Sequence, residues 1–380
     1  MLAVGLMSGT SLDGVDAALV EIRPRVARYD ATLLRFKTYP FAPDLRTRLL
    51  EALPPNAGSV EAIARLHHEL GRAYADAAAG VAGSDRIGYV ASHGQTMWHD
   101  GAAGVTFQIG DPFVIREAVN ATVCFDFRSA DCAAGGQGAP LIARVDGLLL
   151  ASGQEDRAAL NLGGIANVSL LRKAASPDET TAFDTGPGNM VVDAFVRERT
   201  AGICNFDRNG LLAAAGSVDG DLLAAMLEDD YFSAPPPKTT GRERFGSHFL
   251  TRHADALSRH SLEDGVATLT ELTAASVADA VAREGFGGAR LIVSGGGAHN
   301  ATLLSRLAAR LPDARVETSD AMGLPIDAKE AIGFAVLGYE TLRGIPGNVP
   351  AATGARRRVV LGAIAPCNLD SLILSLSKDD

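Results

Sequence analysis

Apolar and polar positions near the amino terminus predict a hairpin: Ala3 to Met7 reads as one strand, Gly9 to Gly14 as a small polar turn, and Val15 to Ile22 as a second strand. A third strand is expected at Ala31 to Tyr39, and apolar residues at helical spacing predict helices at Asp44 to Leu53 and Val60 to Val81. Ile87 to Ser92 returns as a strand. Residues 92–111 read as a polar loop with a short strand at Val105 to Ile109, a composition suited to a cleft. The glycine-rich stretch CFDFRSADCAAGGQGAPL, from Cys124, reads as an interdomain crossing or a ligand loop, and a domain boundary is expected near it.

The opening theme then recurs. Ala159 to Leu171, ALNLGGIANVSLL, is again apolar strand, glycine turn, apolar strand. Two such hairpins, each beginning about half of the chain, predict a duplicated α/β domain in which both copies present a phosphate turn to a shared cleft. Strand Thr181 to Phe183 ends in DTGPGN and passes into a helix at Met190 to Arg199, with Asn189 expected as its N-cap. The Pro-rich basic loop Ala234 to Gly246 is long enough to suggest a function of its own. Val266 to Arg283 is expected as a long helix, Arg290 to Val293 as a buried strand, SGGGAHN as a glycine turn, and Ala301 to Leu311 as a helix capped by Asn300. A last helix is expected from about Ala328 to Leu342; the tail after Pro366 has no place in this plan.

Composition narrows the class. A chain of 380 residues with 47% hydrophobic and 21% charged residues is long enough for two globular domains. A net charge of -10 without a basic block argues against a nucleic-acid surface, while leaving a charged small substrate open. Cys124, Cys132, Cys204 and Cys367 lack C-x-x-C spacing, so a reduced compartment is expected. No basic leader precedes the first strand and no apolar run reaches the roughly 20 residues that span a bilayer, so the expectation is a cytoplasmic protein off the membrane. The histidines show no H-E-x-x-H spacing.

The turns carry the candidate chemistry. Gly9 and Gly14 are expected to bend the backbone with positive φ and let a ligand approach, Thr10 and Ser11 supply hydroxyls, and Asp13 and Asp16 can hold a hydrated magnesium ion. No Gly-Lys-Ser/Thr ends the turn, so this is not a Walker loop, and an ordinary surface hairpin shares its pattern. A dinucleotide site is not expected, since no G-x-G-x-x-G sits between a strand and a helix.

Taken in order, GLMSGTSLDGVD, SHGQTMWH, TFQIGDP, DFRSADCAAGGQGAPL, NLGGIANVS, FDTGPGN, PPKTTGRERF and SGGGAHN closely resemble the anhydro-N-acetylmuramic acid kinases over residues 1 to about 366. The resemblance implies the actin-like ATPase fold: two ribonuclease-H-like lobes with a central interdomain cleft that closes over ATP. The lobes are expected at 1–127, with 350–366 returning to the first, and at 128–349, leaving 367–380 as a loose tail. It further implies a homodimer and, as reaction, phosphorylation by magnesium-ATP of the 6-oxygen of 1,6-anhydro-N-acetylmuramate while water opens the anhydro bridge, in peptidoglycan recycling. The alternatives are a related sugar kinase that adds no water and a non-metabolic ATPase such as an actin-like filament or a chaperone nucleotide domain.

That reaction needs a base to activate water, and the resemblance points to Asp184, held between a strand and a helix start; a carboxylate that only caps its turn is the competing use. Nucleotide binding is implied for Gly9, Thr10, Ser11, Leu12, Asp13, Gly14, Val15 and Asp16, for Gly163, Gly164 and Gly186, and for Gly295, Gly296 and Gly297, where a flat base can lie on bare backbone unless the glycines serve strand-to-helix packing alone. Asp13 is the better magnesium residue, through water. Arg128 suits the lactyl carboxylate of the sugar through two parallel hydrogen bonds, or an interdomain ion pair. His93 and Gln95 suit sugar hydroxyls or the acetamide, Trp98 a sugar face, and Glu330 a sugar contact or a supporting role that the helix dipole alone would also favour.

Overall fold

The computed structural model describes residues 1–9, 11–25, 28–53, 56 and 58–367. Its strands are β1 (Leu2–Met7), β2 (Gly14–Arg25), β3 (Arg28–Pro40), β4 (Tyr89–Ser92), β5 (Gln95–Asp100), β6 (Val105–Ile109), β7 (Thr122–Phe125), β8 (Arg157–Leu162), β9 (Ile165–Leu171), β10 (Thr181–Pro187), β11 (Arg290–Ser294), β12 (Arg315–Thr318) and β13 (Ala363–Ala365). The chain divides into two units, Met1–Leu149 with the chain from Ala328 on, and Leu150–Asp327.

In the first unit β1, β2 and β3 form an antiparallel meander, β4 and β7 add parallel to β1, and β13 closes the edge antiparallel, giving the order β13-β7-β4-β1-β2-β3. Side chains alternate across a strand, so Val4 and Leu6 face the helix Val60–Ala82, whose Leu70, Tyr74 and Ala78 are fully or nearly fully buried against them. That helix starts at Ser59, whose hydroxyl accepts the Ala62 N–H at 3.1 Å. Gly5 faces the other way, onto the helix Lys329–Leu342; a Cβ there would collide with the Ala331 carbonyl oxygen. Residues 92–111, expected as a loop with one strand, instead form the separate hairpin β5–β6.

In the second unit β8, β9 and β10 repeat the meander and β11 and β12 add parallel to β8, giving β10-β9-β8-β11-β12. The two sheets thus share one ribonuclease-H-like topology, as the paired hairpins lead one to expect. Helices Leu262–Arg283 and Ala301–Arg310 bury Ala274, Val277, Leu303 and Leu307 against Leu160 and Val168. A second core lies under helix Met190–Arg199, where Val191 and Phe195 meet Tyr231, Phe245 and Leu269. Asn300 caps its helix by accepting the Leu303 N–H at 2.9 Å, as expected, but Asn189 makes no side-chain cap and donates from Nδ2 to the Leu162 carbonyl.

The division falls elsewhere than at 127/128 and 349/350. Segments 128–149 and 328–349 pack within the first unit because buried groups of each need the other. Arg144 binds both carboxylate oxygens of Glu340, and Lys329 pairs with Asp146 at 2.8 Å, so helix Ile142–Leu150 and helix Lys329–Leu342 are joined by two buried ion pairs. The glycine-rich stretch after Cys124 is not the crossing. Asp131, fully buried, accepts hydrogen bonds from Gly138 N, Asn348 Nδ2 and Thr353 Oγ1, which fastens it to residues near 350. No single helix among the described residues is long and apolar enough to cross a membrane.

Candidate active site

The first hairpin turn is built by two anchored apolar residues. Leu12 and Val15 are almost fully buried in the core, so they pin the turn and leave Gly9, Ser11 and Asp13 on its outside. The left-handed backbone falls on Leu12, φ +56°, and on neither Gly9 nor Gly14, a correction to the expected geometry. Gly14 is needed for a different reason: a Cβ would strike the Tyr39 carbonyl of β3. Among the described residues beyond its chain neighbours, the nearest atom to a Cβ built on Gly9 is Ser11 Oγ, 4.0 Å away. Arg46 donates from Nε to the Leu12 carbonyl at 3.0 Å and stands 3.9 Å from Asp13, a side chain 71% exposed. Asp16 lies on β2 and accepts from Thr38 Oγ1 at 2.6 Å. Thr10 lies outside the described residues.

His93, Gln95, Arg128 and Glu330 gather in this same unit. Ser8 Oγ donates to Gln95 Oε1 at 2.7 Å, which ties Gln95 to the hairpin. Arg128 donates from Nε to His93 Nε2 at 3.0 Å and from Nη1 to the Gly138 carbonyl at 2.7 Å. Because an arginine can only donate, His93 Nε2 must accept, so the imidazole proton sits on Nδ1, facing the Gly94 carbonyl 2.8 Å away. Burial, and then the Arg128 charge, hold the His93 pKa well below its ordinary value. Glu330 lies in the first turn of helix Lys329–Leu342, where burial raises its pKa while Lys329 and Arg128 pull it back and Asp16 adds to the rise. Trp98 pairs with Phe107 across β5–β6 and is about half exposed.

The second unit assembles the remaining candidates. The β8–β9 turn at Gly163 and Gly164 accepts backbone N–H bonds from Asn189 and Gly188 at 2.8 and 2.9 Å, and the Gly295–Gly297 turn lies on the same ground: a Cβ on Gly297 would stand 2.6 Å from Leu162 Cβ and 3.0 Å from Asn189 Oδ1. The three glycine segments therefore meet around Leu162 and Asn189. Their bare faces differ. Gly295 and Gly297 are packed against protein, whereas a Cβ on Gly163 or Gly296 would find no atom nearer than 3.5 and 4.0 Å. Gly186 is turned inward, with the Phe232 ring 2.7 Å from where its Cβ would be.

Asp184 stands inside β10, not at its end, since the strand runs on to Pro187 after a register shift between Asp184 and Gly186. Its Oδ2 accepts the Thr240 N–H at 2.9 Å, its own N–H donates to the Lys238 carbonyl at 3.0 Å, and its carbonyl accepts from the Tyr231 hydroxyl at 2.7 Å. Lys238 is buried, its Nζ donating to the Tyr231 carbonyl at 2.9 Å, so the Pro-rich loop holds its lysine inward. Desolvation lowers the Lys238 pKa, and Arg283 adds to that while Asp184 opposes it. The length of this loop marks it in the sequence, but nothing there links Tyr231 or Thr240 to Asp184; only the fold brings them within hydrogen-bond distance of it. Among the described residues no group of three or more His, Cys, Asp or Glu is placed to hold a metal ion.

Comparison with known proteins gives these sites a context. A family model described as anhydro-N-acetylmuramic acid kinase matches residues 1–367. A protein of that name from Streptomyces coelicolor is 45% identical over 96% of this chain and 94% of its own length. Namesakes from Caldanaerobacter subterraneus and Rhodococcus erythropolis are 42% and 43% identical, each over 96% of this chain and over 96% and 94% of their own lengths. With a match of this extent, the chain belongs to the anhydro-N-acetylmuramic acid kinase family and is an ATP-using kinase of a small sugar.

Proposed function

We propose that the enzyme couples phosphorylation to hydrolytic ring opening of 1,6-anhydro-N-acetylmuramate, giving N-acetylmuramate 6-phosphate and ADP in peptidoglycan recycling and amino-sugar catabolism. A water oxygen bonds to the anomeric carbon as the bond from that carbon to the 6-oxygen breaks. The 6-oxygen, gaining alkoxide character, bonds to the γ-phosphorus as the bond to the β,γ-bridging oxygen breaks and ADP leaves. Asp184 takes the proton that the water loses.

The observation that carries this reading is the restraint on Asp184. A half-buried carboxylate with one oxygen held by the Thr240 N–H, and with both its flanking peptide groups bonded, is pre-oriented for one proton transfer. Arg128 supports recognition of the lactyl carboxylate: bonds to a neutral His93 and to the Gly138 carbonyl hold its guanidinium in one plane, as a two-bond grip on a carboxylate requires. His93, Gln95 and Glu330 are proposed sugar-site residues with it. The hairpin 9–16 is the proposed triphosphate turn, and Gly163, Gly164, Gly186 and Gly295–Gly297 the proposed nucleotide turns of the second unit. Gly186, with its face packed on Phe232, serves through backbone placement only. Asp13, a single exposed carboxylate, fits magnesium, which keeps several waters and takes one or two carboxylates beside substrate phosphates. Bound there, magnesium would neutralise charge developing on the phosphates. A homodimer in the cytoplasm completes the proposal.

Incubation with magnesium-ATP and the anhydro sugar in oxygen-18 water tests it: the product should gain one phosphate and one labelled oxygen. A phosphorylated sugar without label would make the enzyme a kinase that adds no water. Asp184→Asn should retain the fold by circular dichroism and lower kcat about 10²–10⁴-fold, and a wild-type rate would remove Asp184 from the base role.

A further inference from the structure

The sheet of the second unit ends at β10, so among the described residues no further strand meets the outward peptide groups of that strand. Such groups need other partners, and at Asp184 both have one: the N–H meets the Lys238 carbonyl and the C=O meets the Tyr231 hydroxyl. The bonds close a ring, because the Lys238 ammonium returns to the Tyr231 carbonyl at 2.9 Å. The ring sits at the point where the β9–β10 ladder loses register, where strand pairing alone holds the backbone least firmly.

Tyr231 is itself immobilised. Only 6% of it is exposed; its N–H donates to Asp229 Oδ1 at 3.1 Å, and its ring stands edge-on to Phe245 with centroids 5.5 Å apart. Lys238 Nζ lies 4.6 Å and the Arg244 guanidinium 5.4 Å from the ring centroid. Asp229 is in turn gripped by Arg244 and, at 3.2 Å, by Arg252. These contacts hold the ring, so the hydroxyl can be removed without opening the packing around it.

We infer that Tyr231 is a positioning residue for the reaction: its hydroxyl fixes the peptide of Asp184 at the bulge and so sets the direction of the carboxylate. The inference rests on the reading of Asp184 as base. Displacing a reacting group by about 1 Å can cost about 10²-fold in rate, so a single peptide bond held at this place has leverage.

Tyr231→Phe tests it, because the ring and its packing stay and only the hydroxyl goes. The variant should lose about tenfold or more in kcat, with KM for sugar and for ATP within about twofold of wild type and a thermal midpoint lowered by no more than a few degrees, as the loss of one buried hydrogen bond entails. The same change made in the Asp184→Asn protein should leave its residual rate where it was, since two residues acting through one group are not additive. Lys238→Met, which opens the ring at its other link, should lower kcat in the same way. An inactive Asp184→Asn together with a Tyr231→Phe of wild-type kcat would overturn the inference while leaving the base in place. A further tenfold fall in the double variant would also overturn it, by showing that Tyr231 acts apart from Asp184. A fully active Asp184→Asn would remove both readings together.

Discussion

A glycine can lay its bare face against a ligand only where that face is turned to where the ligand comes; elsewhere it serves by placing backbone. By that measure Gly9, Gly163 and Gly296 stand apart from their neighbours, because the space a side chain would fill is empty of protein, while Gly14, Gly295 and Gly297 spend theirs on close packing. Gly9→Ala and Gly296→Ala should therefore leave the thermal midpoint unchanged and raise KM for ATP by about tenfold or more, the equivalent of about 1.4 kcal/mol. Gly297→Ala should lower the midpoint, since Leu162 and Asn189 already occupy the place. Unchanged KM in both of the first pair, measured by initial rates, would remove these turns from the nucleotide site.

At the scale of elements, the helix Lys329–Leu342 does more than cover a sheet. It brings Glu330 within the electrostatic reach of Arg128 and Asp16, and it packs this close only because Gly5 leaves β1 bare beneath Ala331. Gly5→Val should cost about 1–3 kcal/mol or more, read as a fall in the denaturant midpoint; a neutral result would mean that the helix can stand off from the sheet without loss. The approach of β1 to a helix some 330 positions later has no local sign in the sequence, and neither has the pairing of Arg144 with Glu340, which is why the boundaries read from local pattern fall too early at 127/128 and too late at 349/350. Elements with a local period were legible: both hairpins, the helix behind Ser59 and the helix behind Asn300. Those whose pattern is interrupted were not. β5 reads as a loop because His, Gln and Gly punctuate it, although its partner β6 is legible at Val105–Ile109; β12 is short and not fully buried at any position, and the Gly-Pro of DTGPGN reads as a turn although an edge strand tolerates proline. The candidate site was legible as motifs in order along the chain, whereas the bonds that orient Asp184 and Arg128 come from Tyr231, Thr240, His93 and Gly138, which only folding brings near.

At the scale of the whole molecule, the two units repeat one topology but differ in how they are drawn from the chain. Leu150–Asp327 is continuous and contains two apolar cores, while the first unit needs residues from both ends, with Ala365 of β13 in the same core as Val4. Produced alone, residues 150–327 should unfold cooperatively and give dispersed amide resonances, whereas 1–149 alone should not. Dispersed resonances from 1–149 would mean that the sheet holds without helix Lys329–Leu342. The same arrangement bears on synthesis. A chain leaving the ribosome exposes β1 first but cannot cover its Gly5 face until the helix ending at Leu342 has emerged, by which time the unit encoded in between is already complete. The first half to be translated is thus the last to finish, and the nascent β1–β4 sheet must wait, one face open, while its neighbour folds.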